Sequence, residues 1–107
     1  MKRIVPIYKS TLYPNTTAPL RYVPKNKSTR AVGVLVSTNS EVSLALKGGT
    51  HLVFNKQNVG KSTRTSPDSR IIPISERLSG ETIVGKVKNI TTEKSASKVS
   101  IYLIIEE

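Results

Sequence analysis

No cysteine occurs anywhere in the 107 residues, which excludes disulfide staples and thiolate metal sites. Histidine occurs once, as His51, with no second ligand or carboxylate beside it, so metal ligation and acid–base chemistry have little to work with. The seven carboxylates are scattered, and only Glu106 and Glu107 adjoin, so no Asp/Glu pair is placed for general acid and base roles. Serine and threonine are plentiful, but a nucleophile needs an oriented base, and none is at hand. No enzyme, no cofactor, no metal and no small-molecule substrate are expected.

Long apolar runs are also missing. The N-terminal MKRIVPIYK begins like a leader, yet its apolar stretch ends at Tyr8 and is broken by Pro6. Neither a secretory signal nor a membrane span is expected. The Asn-x-Ser/Thr sequons at Asn15, Asn26 and Asn89 match what a chain rich in serine and threonine produces by chance.

One more famous pattern is incomplete. NVGKST at 58–63 looks like the end of a phosphate-binding loop, but that loop needs a glycine where Asn55 stands. It must also open a helix, and Pro67 and the polar run after Thr63 forbid one. The stretch from Lys56 to Ser69 therefore reads as a polar basic loop. Lys56, Lys61, Arg64 and Arg70 are its basic residues, a secondary set expected either to stay solvated or to meet an anion.

What is present is charge of one sign. Lys and Arg number 17 against 7 Asp and Glu, a net +10. From Met1 to Leu35 there are seven basic residues and no acidic one. Such asymmetry points to a negative partner surface.

The second feature is a period of two. Val42, Leu44 and Leu46 alternate with Ser43, Ala45 and Lys47; Val99, Ile101, Leu103 and Ile105 alternate with Ser100, Tyr102, Ile104 and Glu106. AVGVLVS and TIVGKVK behave alike, and no helical period persists for three turns. Shorter strands are expected at Arg3–Tyr8, His51–Asn55 and Arg70–Ser75, with Pro6 and Pro73 confining the first and last to sheet edges or bulges. Gly48-Gly49 and Ser79-Gly80 read as hairpin turns, and Ser75–Leu78 as a single helical turn. The last strand, apolar on both faces, is expected at a sheet centre with both sides covered.

The expected fold class is all-β: one antiparallel β-sandwich or small barrel of about seven strands. Residues 1–107 form a single β domain. Residues 31–107 make its core, and 1–30 an extended basic arm with an edge strand near 3–8. In that arm Lys2, Arg3, Lys9, Arg21, Lys25, Lys27 and Arg30 interleave with Tyr8, Tyr13 and Tyr22. Basic and aromatic side chains together serve either a protein interface or a nucleic-acid backbone with stacked bases.

A small cysteine-free β-domain, the arm KSTLYPNTTAPLRYVPKNKSTR and an apolar C-terminal strand together resemble the capsid-associated proteins of tailed bacteriophages, the auxiliary, decoration or cement proteins. The likeness lies in whole-chain character, and no binding residue carries over by position. It implies a non-enzymatic structural protein that docks on capsid subunits at many equivalent sites, located in the virion. The alternative is a small basic barrel that binds single-stranded nucleic acid, cytoplasmic and without a membrane partner. Only Phe54 and Tyr102 lie in the expected internal strands, few for a stacking platform.

Overall fold

The computed structural model describes residues 2–25, 28–38, 41–48, 51–59, 71–78, 80–90 and 96–106, with backbone alone at 51–53 and 57–59. Eight strands follow one another: β1 (Lys2–Leu12), β2 (Thr17–Tyr22), β3 (Arg30–Thr38), β4 (Val42–Gly48), β5 (His51–Val59), β6 (Ile72–Arg77), β7 (Ile83–Asn89) and β8 (Ser97–Glu106). They form two four-stranded antiparallel sheets. Sheet I has the order β1-β8-β3-β6 and sheet II the order β2-β7-β4-β5. Two separate sheets make a sandwich and not a barrel.

The pairing has a simple logic. The first strand pairs with the last, the second with the seventh, the third with the sixth and the fourth with the fifth, all antiparallel. A long two-stranded ribbon is thus rolled up on itself, and β3–β8 and β4–β7 contacts seal the roll. This is the jelly-roll arrangement. Only the β4–β5 hairpin stays within one sheet; every other connection crosses the sandwich.

Alternation fills the space between the sheets. Val99, Ile101, Leu103 and Ile105 of β8 face Leu44, Leu46, Ile83 and Val87 of sheet II, all at 1 % exposure or less. Each such side chain contributes on the order of 1.5–3 kcal/mol by leaving water. On the outer face of sheet I, Leu35 and Ile104 are also buried, at 7 % each. The last strand is therefore central and covered on both sides, as its sequence requires.

Several expectations need correction. Residues 10–22 are not an extended arm. β1 runs through to Leu12, β2 is an eighth strand, and Leu12 and Leu20 are buried in the common core. The two strands are joined by a tight turn at Tyr13-Pro14-Asn15-Thr16, where the Thr16 amide donates to the Tyr13 carbonyl at 3.2 Å. Asn15 has φ 58°, so proline and a left-handed asparagine occupy the positions a type II turn wants. Buried Asn89 ties this turn down. Its Nδ2 donates to the Leu12 carbonyl at 3.0 Å, and its backbone bonds to Asn15 and Thr16.

Ser75–Leu78 forms no helical turn, because β6 takes Ile72–Arg77 as an edge strand. Of the expected Ser79-Gly80 turn, Gly80 has φ 74° and the Glu81 amide donates to the Leu78 carbonyl at 2.9 Å, while Ser79 lies outside the described residues. The connection is not a hairpin, however, since β6 and β7 belong to different sheets. β5 also extends to Val59, into the expected basic loop, and 60–70 lie outside the described residues. The proline rule holds: Pro6, Pro19 and Pro73 all sit on edge strands, and the β1 register shifts between Pro6 and Tyr8.

Candidate docking cleft at the β1–β2 seam

Edge strands β1 and β2 lie beside each other where the two sheets meet. The seam opens into a cleft of about 280 Å³ lined by Arg3, Ile4, Val5 and Pro6 from β1 and by Tyr22, Val23 and Lys25 from β2 and its exit. Alternation explains its chemistry. Val5 turns inward against the core, which leaves Ile4 and Pro6 outward. Val23 follows the last residue of β2 and precedes buried Pro24, so it is turned out of the sandwich.

Ile4 and Val23 are each 56 % exposed, an unusual state for large aliphatic side chains and here a shared one. Arg3 and Lys25 add positive charge, and no carboxylate lines the cleft among the described residues. Tyr22 packs its ring against the core, while its hydroxyl is buried with no hydrogen-bond partner among the described residues. An apolar floor and two cations suit an apolar anchor that carries a nearby carboxylate.

The structure thus unites Arg3, Tyr22 and Lys25 and disperses the other residues of the basic set. Lys2 and Arg30 flank Glu106 across β8 at one end of sheet I, and Arg30 Nη2 donates to Ser75 Oγ at 2.8 Å. Lys9 sits at the opposite end of that sheet beside Lys98. Tyr8 faces the core, and Tyr13 stands 65 % exposed at the turn. Arg21 points from the outer face of sheet II, and Lys56 is exposed on β5. Lys27, Lys61, Arg64 and Arg70 lie outside the described residues. Tyr8 and Tyr22 are spent on packing and cannot serve as a base-stacking platform.

Sequence reasoning missed Val23 and Pro6 as site residues. The signal was the repeated Val-Pro, at 5–6 between two isoleucines and at 23–24 between Tyr22 and Lys25. It also passed over Lys47, Lys86 and Lys88, which alternation alone places on one outer face. Among the described residues no group of three or more His, Asp or Glu is placed to hold a metal ion. What this surface can do is bind.

No protein-family model and no curated protein matches the chain. Solved structures do. The CBM36-1 domain of a multidomain xylanase, from the hindgut metagenome of Trinervitermes trinervoides, superposes with a TM-score of 0.57 at 15 % identity. That match covers 100 % of this chain and 98 % of the other. The Yersinia pseudotuberculosis-derived mitogen gives the same TM-score and identity over 96 % of this chain and 86 % of its own. At such identity the shared property is the β-sandwich itself, and function has to be read from the site.

Proposed function

We propose that this domain is a non-enzymatic structural module that docks through the β1–β2 seam onto protein subunits of a larger assembly, and that the assembly is a viral shell of the tailed-phage kind. The observation that carries the docking reading is the pair of exposed aliphatic residues, Ile4 and Val23, on the lips of one cationic cleft. The shell reading rests on the whole-chain resemblance and on architecture, since jelly rolls build viral capsids as well as lectins. Accessory use of such a sandwich has a parallel in the xylanase, where the similar domain is one of several.

A cleft of this size does not make a stable interface alone, because specific interfaces bury about 800 Å² on each partner. Docking extends over the neighbouring outer face of sheet I, where Pro6 and Tyr102 continue the apolar strip from Ile4. Repetition over many equivalent shell sites raises the effective affinity further. The virion is the location that follows.

The test is co-sedimentation with purified phage shells. Ile4→Asp and Val23→Asp replace the apolar lips with polar, hydrated groups without touching the core. We expect both to abolish pelleting with shells while thermal unfolding stays unchanged. Undiminished pelleting of both variants refutes the seam as the docking site, and no pelleting of the wild-type protein refutes the shell.

A further inference from the structure

The outer face of sheet II makes a different kind of surface. Alternation in β2, β4 and β7 points Arg21, Lys47, Lys86 and Lys88 away from the core, and all four are exposed. Register aligns them in three rungs. Arg21 and Lys47 flank Val84, Lys86 lies between Pro19 and Ala45, and Lys88 lies between Thr17 and Ser43. No Asp or Glu occurs in any of the four strands of this sheet. Of the described carboxylates, Glu76, Glu81 and Glu106 lie outside these strands, and Glu41 stands just before β4, beyond the Lys88 rung. Between Lys47 and Lys86 the face dips into a shallow concavity of about 330 Å³, floored by Ala45 and the Gly85 backbone.

We propose that the outer face of sheet II binds the phosphate backbone of duplex nucleic acid without regard to sequence. This goes beyond shell docking and uses the opposite side of the sandwich. Three rungs two residues apart span about 14 Å along the strands, and Arg21 to Lys47 spans two inter-strand spacings, about 10 Å. Over about 14 Å of axis a duplex carries about eight phosphates, roughly half of them on the near side. Four cations therefore meet about four phosphates. A polymer with sparser charge leaves some of these cations unmatched.

The aromatic residues decide between duplex and single strand. Within sheet II, Phe54 is buried and Tyr22 packs inward, so no ring is offered on the described outer face. Single strands gain affinity by stacking bases on such rings, whereas a duplex presents its phosphates outward and needs none. The small residues at the floor let a rod-like ligand approach the two central strands.

Four phosphate contacts predict a log–log salt slope of about −3.6, equivalent to about a 150-fold loss of affinity between 50 and 200 mM salt. Fluorescence anisotropy with a labelled 20-bp duplex of arbitrary sequence measures it. Lys86→Gln/Lys88→Gln should reduce the slope to about −1.8, cutting that loss to roughly 12-fold. Lys9→Gln/Lys98→Gln, at the far end of sheet I, should leave the slope as it was. Single-stranded oligothymidine, polygalacturonate and polyglutamate serve as competitors and should each bind more weakly than the duplex. An unchanged slope in the sheet II variant overturns the proposal. So does any of the three competitors binding as tightly as the duplex. Both double variants change exposed side chains only, and circular dichroism confirms that they fold.

Discussion

Adding one methyl group at Gly85 should cost more stability than any other single-carbon change in the sandwich. Gly85 lies in β7, between β2 and β4, and its missing side chain would point inward. A Cβ there would press into the Ala45 carbonyl oxygen and stand 2.7 Å from Leu46 Cδ2 and 3.0 Å from Leu20 Cδ1. The leucines can turn slightly, but the carbonyl is backbone in a neighbouring central strand and cannot. Overpacking of this kind costs about 1–3 kcal/mol, and a backbone obstacle places Gly85→Ala at the upper end. For a domain of this size about 3 kcal/mol corresponds to a fall in Tm of roughly 12–20 °C. The urea midpoint should fall by about 1.5–3 M, since m is on the order of 1–2 kcal/mol/M. Gly33→Ala is the matched control. Its new Cβ would meet only side-chain atoms, Ile71 Cγ2 at 2.8 Å and Ile104 Cδ1 at 3.3 Å, near the outer face of sheet I. It should cost less than about 1 kcal/mol, because half-buried Ile71 can shift. Far-UV circular dichroism follows both melts. A neutral or stabilising Gly85→Ala, the usual result when a permissive strand glycine gains a methyl, would refute the close-approach argument.

Two other substitutions probe the polar interior. Asn89→Ala removes the donor to the buried Leu12 carbonyl and loosens the β1–β2 turn. It should lower stability by about 1–3 kcal/mol, with faster amide exchange at Thr16 than in the wild type; equal stability would show that water replaces the amide. Tyr22→Phe deletes a buried hydroxyl that has no partner among the described residues. Chemical denaturation of the free protein should show no loss, and a gain of up to about 1 kcal/mol, whereas a clear loss would mean that the hydroxyl is bonded.

The strands with strong alternation were legible because a half-buried strand imposes its period on the sequence. EVSLALK and KVSIYLII could hardly be anything else. TAPLRY was not legible, since only Leu20 is fully buried, Ala18 and Tyr22 are partly so, and Pro19 argues against a strand. The misreading has a physical source. Lysine, arginine and proline are what edge strands carry to discourage pairing with other chains, so β1 and β2 have the composition of an exposed arm. The turn Tyr-Pro-Asn-Thr did carry its signal, and weighing it would have split the arm into two strands. Edge and centre also depend on which strands meet, and nothing local in β1 says that its partner is β8. For the same reason Arg3, Tyr22 and Lys25 could be chosen from sequence, but their meeting with Ile4 and Val23 could not. The cationic face of sheet II was readable in each strand separately. It became a surface only through the registers of β2, β4 and β7.

The pairing of first strand with last bears on how the molecule comes into being. Lys2 stands opposite Glu106, and β8 is the strand that joins β1 to β3. During synthesis at about 5–20 residues per second, sheet I has no centre until the final ten residues of the described chain have left the ribosome. Sheet II waits almost as long, because β7 bridges β2 and β4. Early strands must therefore remain unpaired for seconds, longer than the milliseconds to seconds in which β proteins of high contact order fold once complete. The charges and prolines of β1 and β2 thus protect the nascent chain before they protect the finished one. Moving them inward in a redesign would cost yield at the ribosome before it cost stability in the test tube.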